Sequence, residues 1–297
     1  MALAYKTHLS RNHLSFFHRL GDRKALIFYK TRRCKAATGR NRGLIMKIAI
    51  VAPEVFPVPA IRGGAVETII EQVAQQFPGH EVHIFGISDP ELPNNEKKEN
   101  RSYYRFEKTP IDKLMLSSWK LPFKQSNSKL YYWPYRQWVA KKVKTLRPDI
   151  VWVHTRVQFV PALRKAAPHA KLILSLHNES NLRGAKVWSD HAIKCCDVIT
   201  GCSQYLVDQI SRTYPLADTK CRTLYNGVDV DAFLPHWLQP TERESLRKDN
   251  GLEEATVLLY VGRLVKEKGV HILIESFNKL AEREPFRNLK LIIVGAH

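Results

Sequence analysis

Short apolar runs alternate with amphipathic segments along most of this chain, and that alternation restricts the fold more than any single motif does. Residues 48–52 form a continuous apolar run, as in a parallel strand covered on both faces. A loop with three prolines and Arg62-Gly63-Gly64 follows. The segment 65–77 then places Val66, Ile69, Ile70, Val73 and Phe77 at helical spacing. Residues 81–86 read as a second strand, followed by a polar stretch through 101 and an irregular one to about 134.

The rhythm then resumes. Residues 135–146 read as a helix, and 148–154 as a core strand ending on His154. A short helix covers 162–167, and a strand covers 171–176, ending on His177-Asn178-Glu179. A helix at 190–196 precedes a strand and turn at 197–203, where Ser203 is placed to cap a helix over 205–214. A last strand at 222–225 runs into Asn226-Gly227-Val228-Asp229. Strands and helices alternating in this way predict an α/β fold, a parallel sheet with helices on both faces.

A second domain is expected from about residue 238, with a polar helix at 242–248, a buried strand at 256–262, an amphipathic helix at 269–282 and a strand at 289–294. The predicted division is a basic extension outside the fold (1–45), a first Rossmann-like domain (46–237) and a second one (238–297). Residues 291–297 read as a strand entering a Gly turn with no helix after it. The expectation is therefore a chain that stops inside its second domain, with residues 238–297 marginally stable and normal activity lost. No internal repeat is present.

The net charge is +19. Residues 1–45 carry eleven lysines and arginines against one acid, Asp22, and the remainder still holds +9. Such an excess suits nucleic acid, an anionic membrane surface or a phosphorylated ligand. There is no zinc-finger spacing, and aromatics do not alternate with basic residues as in an RNA-binding strand, so nucleic acid is disfavoured. The segment 124–138 mixes aromatics with bases; a loop with an amphipathic helix start explains it, and contact with lipid headgroups or a sugar is the alternative. Met46 opens the first strand and reads as a native start, with a membrane-binding or targeting tail as the other explanation of residues 1–45. Cys34, Cys195, Cys196, Cys202 and Cys221 fit neither a zinc site nor a disulfide framework, and read as reduced thiols of a cytoplasmic protein. No apolar run approaches the ~20 residues that span a bilayer.

In open α/β sheets ligands bind beyond the carboxyl ends of the strands, and four polar clusters fall there. Gly63-Gly64 precedes a helix and would let backbone approach a phosphate, although a Gly-Gly before a helix is more often a plain turn. His154 and His177 each end a strand; a single such His is usually structural, whereas two at equivalent edges suggest a site. In the run from Gly262 to Gly269, Arg263 and Lys268 flank a helix start and could neutralise a diphosphate, the alternative being a solvated charged loop.

These residues resemble the retaining glycosyltransferases of family four, which have the GT-B fold. The match covers residues 46–297, through KIAIVAPEVFPVPAIRGGAVE, DIVWVH, LSLHNE, CDVITGCSQYL, LYNGVDVDAF and VLLYVGRLVKEKGVHILIESF. The resemblance implies transfer of a sugar from a nucleotide-sugar donor to a glycan or lipid-linked acceptor hydroxyl, with retained anomeric configuration and no essential metal or other cofactor. It places Gly63 and Gly64 near donor phosphates or acceptor, His154 facing the transferred sugar and His177 lining the same cleft. Arg263 and Lys268 would bind the diphosphate and stabilise the leaving nucleotide, and Asn226, Gly227 and Asp229 would shape the crossing between domains. The family's glutamate pair, eight residues apart in a later βα unit, would follow His297. Glu267 and Glu275 share that spacing but belong to the Lys-Gly loop and its helix. Two readings follow: a transferase of cell-surface polysaccharide, lipopolysaccharide or coat glycan, peripheral on the inner membrane face, or a non-catalytic remnant that binds acceptor, membrane or partner through its first domain.

Overall fold

The computed structural model describes residues 45–109, 133–178, 186–229, 233, 240–283 and 288–295. The expectations for most of the basic extension, for the first part of 124–138 and for Glu179 lie outside these residues. The chain separates into two compact units, residues 1–227 and 228–297, where the sequence reading placed the division at 237/238.

Unit 1 is an eight-stranded sheet. In chain order its elements are β1 (Lys47–Val51), α1 (Ala65–Ala74), β2 (Glu81–Ile87), β3 (Asn95–Lys98), β4 (Arg101–Phe106), α2 (Trp133–Leu146), β5 (Ile150–His154), α3 (Val160–Ala166), β6 (Lys171–Leu176), α4 (Lys186–Cys195), β7 (Val198–Gly201), α5 (Gln204–Thr213) and β8 (Cys221–Thr223). The strand order is β3-β4-β2-β1-β5-β6-β7-β8, with every pair parallel except β3 against β4. The chain thus leaves β1 toward one edge, then returns to β5 on its other side. The crevice between β1 and β5 is the topological switch point, where ligands bind in such sheets.

The strands β1, β2, β5, β6 and β7 bury residues on both faces, so alternate residues feed separate cores. Ile48, Ile50 and Ala52 pack with Ile70 and Ala74 of α1; Ala49 and Val51 pack with Val139 and Val143 of α2 and Leu163 of α3. Ser203 caps α5 by accepting a hydrogen bond from the Leu206 N–H at 3.2 Å.

The expected polar stretch through 101 and irregular region to 134 need correction, because β3 and β4 lie within them. In β4, Tyr103 and Arg105 face inward. Arg105 is 3 % exposed, donating to the carbonyls of Val58 and Pro93 and to Glu96. A buried arginine satisfied by remote partners breaks the apolar pattern that marks a strand. Other shifts are at boundaries: the 3-10 turn and α3 start earlier than 162, α4 starts at Lys186 rather than 190, and β8 ends at Thr223.

Unit 2 holds α6 (Pro240–Asp249), β9 (Thr256–Val261), α7 (Val270–Ala281) and β10 (Leu289–Val294), with β9 and β10 parallel and paired from Thr256–Leu289 to Val261–Val294. All four match the expected elements closely in position, but β9, expected to be buried, is not: Leu259 and Val261 are exposed.

Candidate functional site

Three segments of unit 1 converge beyond the carboxyl ends of β1, β5 and β6. β1 ends at Val51 and the loop after it carries Glu54. β5 ends on His154 and continues as Thr155-Arg156. β6 ends at Leu176 and delivers His177.

Arg156 crosses the switch point to make a bidentate pair with Glu54, Nε to Oε2 at 2.8 Å and Nη2 to Oε1 at 2.6 Å. A sharp turn aims it. The Arg156 N–H donates to the His154 carbonyl at 2.8 Å, and Thr155 between them has φ 62°. That is a γ-turn of the positive-φ kind, rare and costly for a β-branched residue. Strain of this sort persists only where the surroundings over-determine it; here the Thr155 N–H is tied to the Ser175 carbonyl at 2.8 Å.

Glu67, in the first turn of α1, completes the cluster. It is 3 % exposed, and burial raises its pKa against the opposing pull of Arg156 and of the backbone N–H groups of Glu67 and Phe56. Gly64 explains the close fit. Its φ is 110°, and a Cβ there would collide with the Glu67 carboxylate and crowd Phe56. Gly63, with φ 82°, is exposed and meets nothing within 4 Å. The glycine pair therefore divides: Gly64 is required by the carboxylate behind it, and Gly63 by backbone geometry. Tyr135 of α2 closes the floor, its hydroxyl within 3.0 Å of the Ala52 carbonyl and 2.9 Å of the Phe85 carbonyl. Burial, reinforced by nearby Glu54, raises its pKa well above the ordinary phenol value.

The two predicted histidines meet. His154 Nδ1 lies 3.1 Å from His177 Nε2, with the rings 10° from parallel, and Trp152 stacks on the other flank of His154 at 5.3 Å between centroids. Trp152 is itself fixed: its indole N–H donates to Ser175 Oγ at 2.6 Å, which pairs with Thr200 Oγ1 at 2.6 Å. His154 is 2 % exposed. Burial holds its pKa well below the usual imidazole value, with His177 adding to the effect, and burial lowers that of His177 to about 4. Both rings are thus neutral near pH 7. Their outer atoms, His154 Nε2 and His177 Nδ1, are buried and without a hydrogen-bond partner among the described residues. Buried polar atoms are normally satisfied, and leaving one unsatisfied costs about 1–3 kcal/mol.

In unit 2, Arg263 lies just past the carboxyl end of β9 and Lys268 sits in the turn ahead of α7. Both are exposed. Gly269, the N-cap of α7, takes φ 70°. The Arg263 carbonyl accepts from the Tyr260 hydroxyl at 3.0 Å, which ties the loop to its own strand. Asn226 and Gly227 are exposed at the end of unit 1, and Asp229 is the second residue of unit 2. Sequence reasoning missed Glu54, Glu67, Arg156 and Tyr135. The first and third stand within three residues of a parallel strand's carboxyl end, which is the signal that could have found them. Among the described residues no group of three or more His, Cys, Asp or Glu could hold a metal ion, and no helix is long and apolar enough to cross a membrane.

The model of Glycosyltransferase Family 4 matches residues 63–232, more than half of the chain and all of the site in unit 1 from Gly63 onward. The chain belongs to glycosyltransferase family 4. The model of Glycosyl transferases group 1 matches residues 242–297, which contain Arg263 and Lys268. The chain is similar to spore coat protein SA of Bacillus subtilis, at 33 % identity over 257 residues, covering 84 % of this chain and 61 % of the relative. It is also similar to a lipopolysaccharide 1,2-N-acetylglucosaminetransferase of Salmonella typhimurium, at 27 % identity over 260 residues, covering 85 % of this chain and 61 % of that enzyme. This family 4 chain spans about three fifths of the length of these curated relatives.

Solved structures agree on the fold. An α,α-trehalose-phosphate synthase (UDP-forming) from Burkholderia xenovorans, in complex with glucose-6-phosphate, superimposes with TM-score 0.63 at 15 % identity, over 84 % of this chain and 66 % of that one. HepE from Anabaena, in complex with UDP and glucose, gives TM-score 0.57 at 19 % identity, over 85 % of this chain and 62 % of that one. The fold is GT-B, as expected from the sequence.

Proposed function

We propose that this protein serves the transfer of a sugar from a nucleotide-sugar donor to an acceptor hydroxyl, with retention of anomeric configuration and without an essential metal, in the assembly of a cell-surface polysaccharide, lipopolysaccharide or coat glycan. The observation that carries this reading is the pair of buried, unsatisfied imidazole nitrogens at the carboxyl ends of β5 and β6. Neutral donors and acceptors that lack a partner among the described residues suit a polyhydroxylated ligand better than a charged one.

Cleavage of the bond to a nucleotide builds negative charge on the leaving diphosphate. Arg263 and Lys268 supply exposed cations on the loop between β9 and α7, and the N-terminus of α7 adds the positive end of its dipole. Cations positioned before the reaction stabilise that charge without further reorganisation. His154 would face the transferred sugar, with His177 behind it; Gly63 and Gly64 would keep side chains away from donor phosphates or acceptor. Asn226, Gly227 and Asp229 would form the crossing between the units.

The relatives named for a spore coat and for lipopolysaccharide synthesis support a surface glycan as product. A basic helix supports work at the inner face of a membrane: α2 carries Arg136, Lys141, Lys142 and Lys144 with no acidic residue, a composition attracted to anionic headgroups.

The test is turnover of UDP- and GDP-hexoses, following nucleotide release and the anomeric configuration of product by NMR, with and without EDTA. Where turnover is seen, expected are retention, indifference to chelator, and a loss of about 10²–10³-fold in Arg263→Ala or Lys268→Ala, as when one preorganised donor is removed elsewhere; no turnover with any donor would favour the second reading, a non-catalytic protein that binds acceptor, membrane or partner through unit 1. Undiminished turnover in both variants, or inversion, would overturn the assignment.

A further inference from the structure

We infer that His177 is a positioning residue that fixes the tautomer of His154, so that the two rings always carry the same tautomer and present one donor and one acceptor to a ligand. A neutral imidazole has one N–H and one lone pair. The 3.1 Å contact between His154 Nδ1 and His177 Nε2 needs a proton on one of these atoms and a lone pair on the other. If His154 Nδ1 holds it, His177 Nε2 accepts and the proton of His177 sits on Nδ1, making both rings Nδ1–H. If His177 Nε2 holds it, His154 Nδ1 accepts and the proton of His154 sits on Nε2, making both rings Nε2–H. Mixed states leave two protons or two lone pairs facing each other.

The outer atoms follow. In the first state His154 Nε2 accepts and His177 Nδ1 donates; in the second the roles exchange. Both outer atoms are buried and without a partner among the described residues, so a ligand hydroxyl, which can donate or accept, would meet complementary partners in either state. The surroundings favour the neutral pair. Trp152 stacks on His154, the Cys202 thiol lies 3.6 Å from the His177 carbonyl, and among the described residues His177 is the neighbouring group whose charge bears on His154. The tautomer of a histidine is set by the hydrogen bond at its other nitrogen, and here each ring sets the other.

The ligand half of this inference rests on the sugar-transfer reading; the tautomer half does not. The experiment is two-bond ¹H–¹⁵N correlation of the full chain labelled with ¹⁵N-histidine at pH 7.5, with His154→Gln and His177→Gln used for assignment. Expected are two rings of one tautomer. In His177→Phe, His154 should lose its fixed pattern and average between tautomers, whereas His177→Gln, whose amide can donate or accept, should restore a fixed one. Opposite tautomers in the wild type, which needs no variant to fold, would overturn the inference. So would an unchanged His154 signal in a folded His177→Phe. Addition of UDP-glucose should shift both rings together. Coupled tautomers that ignore UDP-glucose would support the coupling and count against the sugar-site reading alone.

Discussion

β6 and β9 are both six-residue parallel strands rich in Leu and Val or Ile, yet their environments are opposite. In β6, Leu172, Leu174 and Leu176 are at most 1 % exposed, because β5 and β7 flank it and these leucines pack in one core with Leu163, Ile193 and Ile210 of three helices. In β9, Leu259 is 64 % and Val261 70 % exposed, and among the described residues β10 is its one neighbour in a two-stranded sheet. An apolar strand is stabilised by the cover it finds, at roughly 25 cal/mol per Å² of apolar surface buried, so the same chemistry contributes differently in the two units. The polar groups follow the same divide. Unit 1 holds some of its ions largely buried and paired, as in Glu54–Arg156 and Glu96–Arg105, while Arg263 and Lys268 of unit 2 are exposed.

The sharpest way to break this contrast is to remove one arginine from each unit. Arg156→Ala leaves the carboxylate of Glu54, 8 % exposed, buried without its partner and should cost about 3–5 kcal/mol of stability. Arg263→Ala should stay within ~0.5 kcal/mol while impairing turnover. Urea denaturation read at constant m-value decides both. Truncating leucines repeats the comparison without charge: Leu174→Ala should cost about 2–5 kcal/mol, and Leu259→Ala no more than ~0.5 kcal/mol. A comparable loss at Leu259 would show that β9 is covered in solution.

The pH dependence separates the units further. His154 and His177 are held neutral in the folded state, with the His177 pKa at about 4, against roughly 6.5 in the unfolded chain. The unfolded state therefore binds more protons between those values. Stability is complete above pH ~6.5 and falls on acidification toward pH 4, by at most ~1.4 kcal/mol per pH unit for each histidine. The double variant His154→Gln/His177→Gln should flatten that slope. The smallest effect is at a helix start: Ser203→Ala removes the cap of α5 and should cost ~1 kcal/mol. Thermal unfolding will resolve it.

Most of the architecture was legible because the central strands of unit 1, β1, β2, β5, β6 and β7, bury residues on both faces and so appear as largely apolar runs. β4 was not, because Tyr103 and Arg105 fill inward positions and Arg105 draws its partners from Val58, Pro93 and Glu96. The site was half legible. His154 and His177 announce themselves at strand ends, and their contact follows from β5 and β6 being neighbours. The Glu54–Arg156 pair joins residues 102 apart in the chain, so nothing local to either side chain marks its partner. The turn at Thr155 was equally hidden, since a β-branched residue is the last expected at positive φ. Gly64 was recognised in the sequence, but the Glu67 carboxylate behind it, which a Cβ there would meet, was not.

Hydrogen exchange of the full chain, read by mass spectrometry with and without UDP-glucose, tests most directly that a self-covered unit holds the histidine pair and a sparsely covered unit holds the cations. In the free protein, amides of β1, β5 and β6 should remain protected long after those of β9 and β10 have exchanged. With UDP-glucose, protection should rise at 262–269 and at the carboxyl ends of β5 and β6. Equal protection of β6 and β9, or nucleotide-sugar effects confined to segments outside both loops, would contradict it.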